Sequence, residues 1–100
     1  MSEDPELHDR QLAVYGITVA AGLVGTGVQN LRAYERAGLI DPHRTGGGTR
    51  LYSQDDIERL AEVQVLLQRG LNLVGIAMVF ELRADNDRLR QLLADLDPDN

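Results

Sequence analysis

Hydrophobic positions are sparse over the first dozen residues, where Glu3, Asp4, Glu6 and Asp9 surround Pro5; from Ile17 onward they recur in short bursts closed by glycine. The opening stretch therefore predicts a flexible acidic arm over 1–14. Thr18 is placed to cap a short helix in which Val19, Ala20 and Leu23 share a face, and Gly25-Thr26-Gly27 then forces a tight turn. A second helix is predicted over 28–37, with Val28, Leu31 and either Ala33 or Tyr34 facing inward, Arg36 in the last turn and Gly38 ending it. Two extended stretches, 39–44 and 49–52, flank Thr45-Gly46-Gly47-Gly48 and predict a two-stranded hairpin with a flexible tip. Ser53 with Asp56 is a capping-box variant, and it opens a helix in which Ile57, Leu60, Ala61, Val63 and Leu67 recur at spacings of three and four until Gly70. Asn72 caps a segment over 73–80 that is apolar on nearly every side and is expected to be buried. Beyond it Leu82, Leu89 and Leu96 repeat every seven residues with Leu92 between them, the pattern of a short amphipathic helix that needs a partner. The pattern leaves open whether 72–96 is one helix or two; residues 97–100 read as a stop and a tail.

A chain of 100 residues has room for one small domain. It contains no cysteine, which removes disulfides, thiol chemistry and zinc knuckles, and its two separated histidines, His8 and His43, do not suggest a metal site. The acidic start is the wrong charge for a signal peptide, and no apolar run approaches the roughly 18 residues that a membrane span needs. A cytoplasmic protein without cofactor is the expectation. The formal net charge of -6 excludes a uniformly basic coat for nucleic acid, but the charge is unevenly spread. Arg32, Arg36, Arg44 and Arg50 outnumber Glu35 and Asp41 over 26–52, while both ends are acidic. All ten basic residues are arginine, whose donor fork suits phosphate and the guanine edge, although coding bias would produce the same composition. Two helices joined by a glycine turn form a helix-turn-helix, a unit that proteins without DNA affinity also contain. An enzyme is not expected. No nucleophile set or paired-carboxylate cleft can be placed, and Gly46 to Gly48 lacks the Lys-Ser/Thr helix start of a phosphate-binding loop.

The segments Leu31-Arg32-Ala33-Tyr34-Glu35-Arg36-Ala37-Gly38-Leu39-Ile40, Pro42-His43-Arg44-Thr45-Gly46-Gly47-Gly48-Thr49-Arg50-Leu51-Tyr52 and Ser53-Gln54-Asp55-Asp56 closely resemble the winged helix-turn-helix of the MerR family of transcription regulators. Within that family the triple-glycine wing and Gly70-Leu71-Asn72-Leu73-Val74-Gly75-Ile76 are most similar to the HspR-type heat-shock repressors of actinobacteria. The resemblance covers about residues 17–82. It implies a mainly α fold: a winged helix-turn-helix over 15–80 with a small two-stranded wing, then a C-terminal dimerisation helix over 81–96. It also implies a dimeric repressor of chaperone genes on an inverted-repeat promoter operator of double-stranded DNA, in the bacterial cytoplasm at the nucleoid. An Hsp70-type chaperone would act as corepressor. Carried over by position, Arg32 and Tyr34 would reach DNA from the recognition helix, Arg36 and Tyr52 would be DNA-binding residues as well, and Arg44 and Arg50 would straddle the wing and meet phosphates or the minor groove. Gln29 and Asn30 would lie on the exposed first turn of that helix, where amides can pair with adenine. Leu82, Leu89, Leu92 and Leu96 would carry dimerisation.

Bland alternatives stand beside these assignments. Arg32 or Arg36 would pair with Glu35 or another acid, and Tyr34 and Tyr52 would be core residues whose hydroxyls alone emerge. The chain departs from the family pattern in Gly27, a weaker helix cap than Ser or Asn, and in Leu51, where relatives often carry a polar residue. It carries neither an effector domain nor metal-binding cysteines, so metal, drug or redox sensing is not expected. Two other functions remain open: a DNA-bending, excisionase-like protein, and an interaction module or antirepressor that keeps the fold without DNA affinity.

Overall fold

In the computed structural model, which describes residues 9–97, a two-residue strand β1 (Tyr15–Gly16) runs directly into helix α1 (Ile17–Val24). Helix α2 (Val28–Arg36), strands β2 (His43–Arg44) and β3 (Arg50–Tyr52), helix α3 (Gln54–Gln68) and the long helix α4 (Leu73–Leu96) follow. The three strands form one antiparallel sheet in the order β1-β3-β2.

The ends of the helices follow from local chemistry. At the end of α2, Gly38 adopts φ +79, and the N–H groups of Gly38 and Leu39 donate to the carbonyls of Glu35 and Tyr34. That left-handed turn closes the last carbonyls and sends Leu39 back into the core, a geometry that glycine adopts without steric cost. Helix α3 opens on the full capping box: Ser53 Oγ accepts from the Asp56 amide at 3.1 Å, and Asp56 Oδ2 accepts from the Ser53 amide at 2.9 Å. Asn72 caps α4 through the Gly75 amide at 2.8 Å.

The core gathers Ala20 and Ala21 of α1, Leu31 and Tyr34 of α2, Leu39 and Ile40 after it, Tyr52 of β3, Ile57, Leu60, Val63 and Leu66 of α3, and Ile76 and Phe80 of α4. Several expectations need correction here. Helix α1 begins at Ile17 after Gly16 rather than behind a Thr18 cap, and it buries Ala20 and Ala21 while Val19 and Leu23 stay exposed. The inward stripe is Ile17, Ala20, Ala21 and Val24, whose spacing of three, four and seven matches a helical face with two small residues at its centre. Leu66 rather than Ala61 completes the inner face of α3. The segment 73–80 is not wholly buried: Ile76 and Phe80 enter the core, but Val74 and Met78 are exposed. A helix laid against one side of a small core has an outer face whatever its composition.

The expected two-stranded wing has a third strand. Tyr15 pairs with Tyr52 and Gly16 with Leu51, so β3 is the central strand. The arm expected over 1–14 is also partly tied down. The Val14 amide donates to the Tyr52 carbonyl at 3.0 Å, and Arg10, in a helical turn over 9–11, is paired with Asp55 and Glu58 of α3. Residues 1–8 of that arm and residues 98–100 lie outside the described residues. The segment left open as one helix or two is one, unbroken from Leu73 to Leu96, and burial along it ceases after Phe80. Among the described residues no helix is long and apolar enough to cross a membrane.

Candidate nucleic-acid interface

Helix α2 presents its polar side outward. Leu31 and Tyr34 anchor it in the core, three residues apart, and this rotation leaves Gln29, Asn30, Arg32 and Arg36 on the exposed surface. Gly27 caps the helix with no side-chain bond, as its lack of a side chain requires. Thr26 Oγ1 instead accepts from Asn30 Nδ2 at 2.8 Å, which orients that amide while leaving its oxygen and second N–H hydrogen open. Arg32 and Arg36 make no side-chain hydrogen bond or ion pair among the described residues, so neither is paired with Glu35. Tyr34 is in the core, and its hydroxyl accepts from Gln64 Nε2 at 2.6 Å. Tyr52 is fully buried, and its hydroxyl has no hydrogen-bond partner among the described residues. Both tyrosines expected at the DNA surface therefore belong to the interior: one positions α2 against α3, and the other fills the space under the sheet.

The wing brings Arg44 and Arg50 directly opposite each other across β2 and β3. Its tip is more ordered than three glycines suggest. Thr45 and Thr49 are joined by a backbone bond of 2.9 Å, Thr45 Oγ1 accepts from the Thr49 amide at 3.2 Å, and Gly48 turns at φ +86. Leu51 pairs with His43 on one side and Gly16 on the other, so its apolar character suits the middle strand of a three-stranded sheet.

One residue that pattern reading overlooked joins the two parts. Glu35 Oε1 accepts from Arg50 Nε at 2.5 Å, and Oε2 accepts from Arg44 Nη2 at 2.6 Å. Arg44 Nη1 also donates to the Gly48 carbonyl at 3.1 Å. The Arg50 hydrogen bond, then that of Arg44, holds the Glu35 carboxyl below the usual glutamate range, and the reciprocal contact raises Arg50. Burial pushes the Tyr52 hydroxyl up, and the nearby Glu35 charge adds to it. Nothing in the linear pattern sets Glu35 apart from a solvated helix acid. Only the return of the hairpin over α2 brings residues 9 and 15 positions away to the same carboxylate.

The sign of the Glu35 shift makes a stability prediction. A carboxyl with a depressed folded pKa stabilises the fold above its ordinary range, and the contribution is lost as pH falls through that range to the folded value, because the unfolded chain takes up the proton first. Urea unfolding from pH 6 down to pH 3 is expected to show a shallower acid decline in Glu35→Gln than in the parent. Parallel curves would show that the carboxylate contributes nothing to folding.

A second surface lies away from α2. Leu82, Leu89, Leu92 and Leu96 are between 51% and 81% exposed, and with Met78 they follow the four-three spacing of a coiled-coil seam interrupted at Asp85. The base of this helix is held by Arg83 paired with Glu62, and by Arg59, whose guanidinium lies 4.2 Å from the centre of the Phe80 ring. Arg59 Nε also donates to the Leu39 carbonyl at 2.6 Å, so one side chain touches both the end of the α2 turn and the root of α4. Among the described residues no group of three or more His, Asp or Glu could hold a metal ion.

Comparison with known proteins agrees with this architecture. The model of the MerR helix-turn-helix family of regulatory proteins matches residues 15–82. The heat shock protein HspR of Streptomyces coelicolor is 48% identical over 84 residues, covering 83% of this chain and 56% of the relative. The transcriptional regulator GlnR of Bacillus cereus is 34% identical over 74 residues, covering 74% of this chain and 57% of the relative. The chain thus spans a little over half the length of these curated relatives. Among solved structures, HiNmlR, described as a MerR family regulator lacking the sensor domain and bound to promoter DNA, superposes with a TM-score of 0.67 at 26% identity, covering 84% of this chain and 65% of that one. A MerR family transcriptional regulator from Bacillus cereus gives a TM-score of 0.58 at 25% identity, covering 87% of this chain and 79% of the other. With two thirds of its residues inside the family model and the winged helix-turn-helix built as described, the chain belongs to the MerR family of helix-turn-helix regulatory proteins.

Proposed function

We propose that the protein is a sequence-specific, DNA-binding repressor of heat-shock or chaperone genes that acts as a dimer on an inverted-repeat operator in the bacterial cytoplasm. The observation that carries this reading is the exposed row Gln29, Asn30, Arg32 and Arg36 on a helix that is locked to an arginine-bearing wing. Such a helix fits the major groove. Its first-turn amides suit adenine edges, its arginines suit guanine or phosphate, and the wing lies against the neighbouring backbone. The exposed leucine seam of α4 supports a dimer, because it leaves an apolar stripe that a second copy would cover. The heat-shock assignment is supported by the 48% identity to a relative named as the heat shock protein HspR, and an Hsp70-type chaperone as corepressor is what the resemblance to HspR-type repressors implies. A gel-shift titration with that chaperone tests the corepressor role: an unchanged DNA affinity discards it.

Four to six neutralised phosphates per dimer are expected to give a slope of log K against log salt of about -4 to -5. Arg50→Ala is expected to weaken binding to all duplexes together, while Gln29→Ala or Asn30→Ala alters the ranking among them. Fluorescence anisotropy across a salt series measures both. A flat salt dependence would support an interaction module without DNA affinity, and an Arg50→Ala variant that binds as tightly as the parent would remove the wing from the interface.

A further inference from the structure

We infer that Glu35 is a specificity-determining positioning residue, which converts the two wing arginines from independent phosphate-seeking cations into one unit held in register with the base-reading helix. The inference rests on the DNA-binding reading above. Its basis is the fork: both oxygens of a single carboxylate are used, one by Arg50 Nε and one by Arg44 Nη2, and the two arginines face each other across adjacent strands. The carboxylate belongs to α2, the helix that exposes Gln29 and Asn30.

The charge arithmetic favours discrimination over bulk affinity. Arg44 and Arg50 contribute +2, and Glu35 reduces the group to +1. A protein selected only for grip on the backbone would gain from losing that acid, since each further neutralised phosphate adds about 0.9 to the salt slope. What the acid supplies is geometry. A hairpin of two- and three-residue strands has little independent stability, and free arginine side chains reach phosphates at many registers. With Nε on Glu35, Arg50 retains both Nη groups without a partner among the described residues, set at a fixed offset from the side chains that meet bases. Phosphate contact is then fullest when Gln29 and Asn30 are also in place, and weaker at every other register.

The test uses the full chain, a duplex enriched by the parent from a randomised library, and a scrambled duplex of equal length. Glu35→Gln, which keeps the shape and removes the charge, is expected to bind the scrambled duplex several-fold more tightly, to steepen the salt slope by about one, and to reduce the ratio of selected to scrambled affinity about tenfold or more. In a background of Arg44→Gln and Arg50→Gln the same substitution is expected to change neither slope nor ratio, which separates action through the arginines from a general loss of structure. Thermal unfolding of each variant confirms that folded protein is being compared. If the parent binds DNA and Glu35→Gln reproduces its ratio and slope, or loses affinity for both duplexes equally, this inference falls and the DNA-binding reading stands. If the parent itself enriches no sequence and binds without salt dependence, both fall.

Discussion

Leu89→Asp combined with Leu92→Asp is expected to give a monomer that keeps its helix content and loses operator affinity by roughly 10²–10⁴-fold. Both residues lie beyond Phe80, where α4 has left the core, and both are about half exposed in the single chain. Charging them removes no packing from the winged domain. In the proposed dimer they would sit at successive seam positions, where a desolvated carboxylate is strongly unfavourable. The predicted loss reflects the joining of two half-site contacts into one binding event, an advantage of about 10²–10⁴ when geometry allows both to engage. Sedimentation equilibrium, far-UV circular dichroism and anisotropy on the same variant measure the three quantities. A dimer that survives would place association on another surface, and a variant that unfolds would show that the seam packs on its own domain.

Leu60→Ala is expected to destabilise the fold by about 2–5 kcal/mol. Leu60 is fully buried near the middle of α3, the helix against which both α1 and α4 pack. Its loss opens a cavity at the helix against which both of these elements pack. Against a total stability of about 5–15 kcal/mol for a domain of this size, much of the protein would be unfolded at modest urea concentrations. Urea unfolding at pH 7 measures the difference, and a cost below about 1 kcal/mol would mean that the centre of α3 is not the keystone of the core.

The legible parts of the molecule were those written in local rules. The Ser53/Asp56 cap, the glycine stop at Gly38, the hairpin around Gly46 to Gly48 and the heptad leucines each depend on residues a few positions apart, and each occurs where those residues stand. The parts that were not legible depend on distant residues meeting. Val19 and Leu23 satisfy a helical face as well as Ile17 and Val24 do, and it is the face carrying the small Ala20 and Ala21 that turns into the core. Tyr15 and Gly16 carry no strand pattern; only the free edge of β3 makes them one. In the interface, the polar side of α2 and an inward place for Tyr34 were readable from periodicity, whereas the full burial of Tyr52 and the clamp of Glu35 on the wing depend on the hairpin and α2 meeting in three dimensions.

The unbroken course of α4 makes it a lever. Its 24 residues extend about 36 Å, and the 16 beyond Phe80 account for about 24 Å of that. A rotation of roughly 10° about the Phe80 root therefore displaces the far tip by about 4 Å, close to the rise of one base pair. In a dimer joined near that tip, the distance between the two recognition helices is set at the fulcrum, where Arg59 stacks on Phe80 and Arg83 meets Glu62. Operator spacing would then be tuned by residues that never approach the nucleic acid, and substitutions at the root of α4 would shift the preferred gap between half-sites without altering the bases read within each.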